Sequence, residues 1–176
     1  MQIAEQTDQE SIVTLVTDAY RGVSKRPGWT NESEIISGPR IDAEALAAMT
    51  GKGGAVVLVT RDATSGAVSR CVSLKPVAEG DAGESQWYLS MLAVDPGGQK
   101  SGAGRAVMAA AEDYVRSAGG RTIKISVIHL RTELIAWYER AGYVRTGVLE
   151  RFPYDDPSVG TPLRDDLELV ELKKSL

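Results

Sequence analysis

Cysteine and histidine are almost missing from this sequence: Cys71 and His129 are the sole examples of each. A single cysteine excludes an internal disulfide, and one Cys with one His cannot supply the ligand spacing of a zinc site. A two-histidine metal centre is excluded as well, so no metal is expected. Positive charge is not in excess either, with a net charge of −4 and a pI of about 5.1. That excludes a broad nucleic-acid footprint and leaves cationic substrates compatible. No apolar run approaches the ~20 residues of a membrane span. The opening MQIAEQTDQE is acidic and polar, unlike a secretory leader. The expectation is a soluble, cytoplasmic chain with neither a membrane nor a nucleic-acid partner. What is present is globular in composition, 43% hydrophobic and 25% charged. At 176 residues the chain is the size of one domain, 1–176, able to bury roughly 70% of its unfolded surface.

Apolar periodicity switches repeatedly between helix and strand. Thr7 and Glu10 have capping-box spacing ahead of a stripe of Ile12, Val13, Leu15, Val16, Ala19 and Tyr20 that ends near Gly22. The next twenty residues are rich in Pro, Gly and Ser and read as loop. Asp42 caps a short helix through Leu46 and Met49, stopped by Gly51. Residues 55–60 and 67–77 make a hairpin, and QWYLSMLAV (86–94), apolar on both faces, reads as a central strand. A helix then carries Ala103, Ala106, Val107, Ala110, Tyr114 and Ala118 on one stripe and stops at Gly119. A strand (121–128), a helix capped by Thr132 and ended by Gly142, a strand (143–149) and a final strand (167–173) complete the chain. With a short strand at 2–4, this is the order of one mixed α/β domain.

Four glycines, Gly97, Gly98, Gly102 and Gly104, crowd the entrance of the helix after 94. A P-loop needs Lys-Ser/Thr directly after its second glycine, and here Ala103 and Gly104 follow Gly102. A dinucleotide fingerprint needs a third glycine three residues past Gly104, where this chain has Val107. What remains is Gln-x-x-Gly-x-Gly, QKSGAG (99–104), between a strand and a helix start. Backbone amides in such a loop, with the positive end of the helix dipole, can hold a pyrophosphate. Gly102 and Gly104 are then read as admitting phosphates where a Cβ would collide. The alternative is a close-packed turn of small residues.

With those residues in view, the chain resembles the GCN5-related N-acetyltransferases (GNAT), which use acetyl-CoA. The resemblance rests on MLAVDPGGQKSGAGRAV and on LIAWYERAGYVRTG (134–147), where Tyr138 stands four residues before Gly142. It implies the GNAT acyl-CoA N-acyltransferase fold. That fold is a central, mostly antiparallel sheet of six to seven strands, flanked by about four helices and splayed at the central strands. It also implies acetyl-CoA as cosubstrate, with pantetheine along the backbone of Leu92 and Val94. The pyrophosphate would lie on the amides of Gln99, Lys100, Ser101, Gly102, Ala103, Gly104 and Arg105. Arg131 stands where the family often has Asn, and either reaches a phosphate or is solvated.

The implied reaction is attack of a neutral amine on the thioester. By the resemblance, amides near Leu92 and Ala93 face the carbonyl oxygen and Tyr138 serves the leaving sulfur. A phenol near ~10 and a thiol near ~8.5 make full proton transfer uphill by roughly 2 kcal/mol. Tyr138 therefore needs a lowered pKa or acts as a hydrogen-bond donor. Candidate bases are Glu32, Glu34, Glu84 and His129, beside ordered water; Tyr88 stands where some relatives carry a carboxylate. Candidate acceptor-pocket residues are Trp29, Glu32, Arg40, Phe152 and Tyr154, with Arg40 able to pair a carboxylate. A small-molecule amine is the expected acceptor. The alternatives are a protein or peptide amine and a non-catalytic acyl-CoA sensor; a homodimer is also compatible.

Overall fold

The computed structural model describes residues 1–22, 30–77, 85–98 and 102–176. In chain order the elements are β1 (Gln2–Ile3), α1 (Gln9–Arg21), β2 (Ile36–Ser37), α2 (Ala43–Thr50), β3 (Val56–Arg61), β4 (Val68–Val77) and β5 (Gln86–Val94). There follow α3 (Ala103–Ser117), β6 (Thr122–Ile128), α4 (Thr132–Arg140), β7 (Val144–Arg151), β8 (Thr161–Pro162) and β9 (Glu168–Ser175). Seven strands form one sheet in the order β1-β3-β4-β5-β6-β9-β7, as the mixed α/β reading expects, and β5 is its fourth strand. Only β5 and β6 run parallel.

Alternation along the strands sends side chains to two cores. On one face Ile12, Leu15, Val16 and Leu46 of α1 and α2 pack on Val57, Val59 and Cys71. On the other, Val107, Ala111, Val115 and Ile135 of α3 and α4 pack on Leu58, Val72, Leu74 and Ile123. A third, small cluster joins Ile36, Ile128, Phe152 and Leu167. There β2 pairs with β8, a two-stranded sheet that fastens the early loop to the late one. Two residues per strand are too few to leave a periodic signal in the sequence.

Three local expectations are corrected. The α3 stripe is Ala103, Val107, Met108, Ala111, Glu112 and Val115, while Ala106 and Ala118 are exposed. Alanines occur all round this helix, so the branched and longer side chains set the buried face. Thr7 caps nothing; a 3₁₀ turn over Gln6–Asp8 precedes α1, and the Asp8 carboxylate accepts from the Glu5 amide at 2.8 Å. Thr132 lies inside α4, whose N-cap is Arg131. Asp42 does cap α2, through the Ala45 amide at 2.7 Å.

The central strand is not regular. Cys71 pairs with Ala93 but Ser73 pairs with Ser90, so one residue of β4 opposes two of β5. Met91 sits at this bulge with φ of 50°, the one non-glycine residue with positive φ among those described. The extra residue changes the strand's parity: Trp87 and Leu89 before it, and Leu92 and Val94 after it, all join the α3/α4 core. Met91 and Ala93 join the opposite core. Thus the both-faces-apolar pattern of QWYLSMLAV reports a bulge as well as a central position. The Cys71 thiol donates to the Met91 carbonyl at 3.6 Å, and burial pushes its pKa up to about 12.

Two outcomes follow. Cys71, buried and held neutral, stays unlabelled by a maleimide at pH 8 in the folded protein and labels fully in denaturant. At Asp8, burial opposes ionisation, but the Arg61 fork at 2.6 and 2.8 Å and the Glu5 amide outweigh it and hold the carboxyl below its usual range. Asp8→Asn should therefore cost about 2 kcal/mol in urea unfolding at pH 7. Because the folded-state pKa is depressed, this difference is complete above the unfolded value near ~4 and fades as pH falls below it.

Candidate active site

β5 and β6 pair only at their first residues, Gln86 to Tyr88 with Thr122 to Lys124. Beyond that point β5 follows β4 and β6 follows β9, and a gap opens between them. The Asp95 amide donates to the Ser69 carbonyl at 2.9 Å and Ala93 is paired with Cys71. The alternation of backbone groups then turns Leu92 and Val94 towards the gap. Ala93, expected to face a ligand, instead presents its backbone to β4 for the same reason. The Leu92 carbonyl accepts the Tyr20 hydroxyl at 3.0 Å.

Two cavities meet at this gap. The larger, about 500 Å³, is lined by Val94, Gly102, Ala103, Gly104, Arg105 and Trp137 as well as by Tyr20, Thr30, Leu92, Leu134 and Tyr138. It ends on the first turn of α3. The Ala106 amide makes that helix's first bond, to the Gly102 carbonyl at 3.1 Å, so the amides of residues 103–105 precede the ladder. No acid lies in this turn, and Arg105 adds positive charge to the positive end of the dipole. The donor set fits a phosphate group. Gln99, Lys100 and Ser101 lie outside the described residues.

The two glycines are small for different reasons. Gly102 caps α3 with φ of 79°, a left-handed conformation, and a Cβ there meets no atom within 4 Å. At Gly104 a Cβ would stand 3.3 Å from the Trp137 ring. Trp137, a cavity wall, would have to shift by a few tenths of an ångström to admit a side chain at Gly104.

The smaller cavity, about 250 Å³, lies between the early and late loops. Glu32 and Arg40 line it, as do Phe152, Tyr88 and Arg21. The buried Arg21 guanidinium donates to the carbonyls of Gly38 and Val159 at 2.9 and 3.3 Å and to the Glu32 carboxylate at 3.1 Å. Arg131 donates to the Thr30 and Asn31 carbonyls at 3.2 and 2.7 Å and lies 3.9 Å from Glu32. It is thus not simply solvated; it clamps the early loop. Sequence reasoning missed Arg21, although a charged residue at the end of an apolar helix stripe was a signal. Tyr154 does not line the cavity; its hydroxyl accepts from the Leu167 amide at 2.6 Å. His129 accepts from the Glu168 amide through Nδ1 at 3.1 Å, finishing the β6–β9 ladder. Glu34 is exposed, and Trp29 and Glu84 lie outside the described residues. Among the described residues no cluster of His, Cys, Asp or Glu gathers as a metal site would.

Tyr138, Tyr20, Leu92 and Leu134 line both cavities. The Tyr138 ring is fixed edge-on between Trp137, at 4.9 Å, and Tyr143, at 5.6 Å. Burial, with smaller contributions from Tyr88 and Glu32, raises its pKa well above the usual phenol value. Its hydroxyl stays protonated and, among the described residues, makes no hydrogen bond.

The sequence profile of the Acetyltransferase (GNAT) family matches residues 24–143. Mycothiol acetyltransferase of Cellulomonas flavigena is 34% identical over 88 residues, 48% of this chain and 25% of that protein, so the chain spans a quarter of that relative's length. The crystal structure of ribosomal-protein-alanine N-acetyltransferase from Brucella melitensis superposes with a TM-score of 0.68 at 21% identity, covering 99% of this chain and 98% of that one. A phosphinothricin acetyltransferase from Sinorhizobium meliloti, crystallised with acetyl-CoA, gives 0.68 at 20% identity, covering 99% and 86%. At these identities the two structures speak for the fold alone. On the family match, which takes in β5, the α3 entrance and Tyr138, the chain belongs to the GNAT acetyltransferase family.

Proposed function

We propose that this chain is an acetyl-CoA-dependent N-acetyltransferase acting on a primary amine of a small molecule. One observation carries the reading: a cavity that ends on a bare helix N-terminus and a cavity walled by loops share Tyr138 and Leu92 at their junction. The first suits a long ligand with an anionic end, and its volume falls within the usual ligand range of roughly 300–1,000 Å³. The second, at about 250 Å³, is smaller than that range and suits a compact acceptor. The acetyl-CoA complex of the Sinorhizobium meliloti neighbour supports the cosubstrate assignment.

Acetyl-CoA supplies an acetyl group already activated as a thioester. The α3 amides and Arg105 hold the phosphates, and the β5 backbone at Val94 and Leu92 directs the arm towards Tyr138. A raised phenol pKa makes proton donation to sulfur harder than the roughly 2 kcal/mol of an ordinary tyrosine. Tyr138 therefore serves as a neutral hydrogen-bond donor to the departing sulfur. Among the described residues Glu32 is the one carboxylate lining the acceptor cavity, and two guanidiniums engage it. Ordered water then takes the amine proton.

Calorimetry should give micromolar binding of acetyl-CoA, with ATP and NAD silent. Gly104→Val, which drives Trp137 into the larger cavity, should weaken that binding roughly tenfold. Tyr138→Phe should lower kcat roughly 100-fold while acetyl-CoA affinity holds. In the parent protein the rate should climb with pH as the acceptor amine loses its proton, with no descending limb below pH ~10 because Tyr138 remains protonated there. Acetyl-CoA binding without turnover of any amine would make the chain an acyl-CoA sensor. Acetylation of peptide amines alone would move the acceptor to a protein.

A further inference from the structure

The acceptor cavity carries an unbalanced positive charge. Among the described residues, three that line it carry charged side chains: Arg21, Glu32 and Arg40. Glu32 is matched twice, by Arg21 at 3.1 Å and by Arg131 at 3.9 Å, and the Arg21 donors are further spent on two loop carbonyls. Arg40 makes no ion pair or hydrogen bond among the described residues. Its guanidinium lies over the Tyr20 ring, 5.4 Å from the centroid, at the cavity wall. The hydroxyl of the same ring reaches the Leu92 carbonyl at the junction with the larger cavity. A single tyrosine therefore separates a free guanidinium from the reacting end of the site.

Resting on the acetyltransferase reading, we infer that the acceptor is a compact molecule bearing both an amine and a carboxylate, an amino acid or a close analogue, with its carboxylate on Arg40. A planar guanidinium fork with no protein partner matches a carboxylate in two parallel hydrogen bonds. The aromatic face behind it holds the fork without consuming its donors. A polyamine is disfavoured, since both of its ends would face this charge. The acidic residues that would attract one, Asp155, Asp156, Asp165 and Asp166, are all exposed and line neither cavity. Asp156 accepts from the Ser158 amide, and Asp166 is paired with Arg164 at 2.6 Å.

The test compares amines that differ only in the carboxylate. Leucine, methionine and phenylalanine are titrated into the full chain saturated with CoA, each beside its decarboxylated amine, with spermidine as a further probe. The inference expects at least one amino acid to bind roughly tenfold or more tightly than its decarboxylated partner. Arg40→Ala should erase that difference, chiefly by weakening the amino acid, and leave acetyl-CoA affinity unchanged; Arg40→Lys should restore part of it. Thiol release from acetyl-CoA should follow the same order in kcat/KM. The inference is overturned if no amino acid outbinds its partner, if spermidine binds best, or if Arg40→Ala leaves the preference intact. Acetyl-CoA binding retained alongside any of these results leaves the acetyltransferase reading standing. Its loss in the parent protein removes both.

Discussion

The bulge at Met91 is the constraint on which the site depends. A left-handed residue other than glycine costs about 1–2 kcal/mol, and the chain holds it with a buried side chain and with the Cys71 thiol on its carbonyl. The extra residue sharpens the local twist, so the second half of β5 leaves β6 after three pairs. Everything chemical follows from that departure. Leu92 and Val94 keep their side chains in the α3/α4 core while their backbone groups face an open gap. A regular β5 would have zipped to β6, and the two cavities would have been filled by ladder hydrogen bonds.

Opening a sheet leaves the loops beside it to be held by something else. Here the means are electrostatic and local. Arg21, at the last turn of α1, reaches the two loops that β2 and β8 already pair, and Arg131, at the start of α4, grips the carbonyls before Glu32. Glu32 lies between the two guanidiniums, which partly offsets the desolvation of three charges. Removing Glu32 would leave both guanidiniums without their counter-charge, and breaking a buried pair in this way typically costs about 3–5 kcal/mol. The same pairing decides chemistry: a carboxylate so engaged shapes a cavity and leaves Arg40 as its free ion.

The long elements were legible in the sequence because their signals repeat. Nine residues of β5, the alternation of β6 and the capped α2 each carry several independent cues. The QKSGAG loop and the Tyr138 segment were legible through resemblance, and their meeting at one junction needs the fold, since 34 residues separate Gly104 from Tyr138. What escaped has a common cause. A single inserted residue at Met91, two-residue strands at Ile36 and Thr161, and the choice among alanines in α3 are all settled by packing across the chain. Arg131 shows the limit most clearly. Its place in the motif suggested a phosphate, whereas the early loop, distant in sequence, supplies its partners.

The charge balance of the acceptor cavity bears on the missing base. For an amine with a lysine-like pKa near ~10.4, deprotonation at pH 7 costs roughly 4–5 kcal/mol. Dedicated carboxylate bases reduce that cost, and in doing so they also attract the ammonium form. A cavity with surplus guanidinium works in the other direction: it disfavours the ammonium and leaves the neutral amine comparatively stable. A carboxylate on the acceptor would neutralise Arg40, yet Arg21 and Arg131 together still exceed Glu32 by one charge. On the proposed function the proton would then be shed to water as the acceptor enters, and the site would need geometry more than it needs a base. Tyr138 completes the arrangement at the other end. Its raised pKa keeps the phenol neutral under the same conditions that favour the free amine, so on the proposed mechanism both groups would be in their reactive forms at one pH.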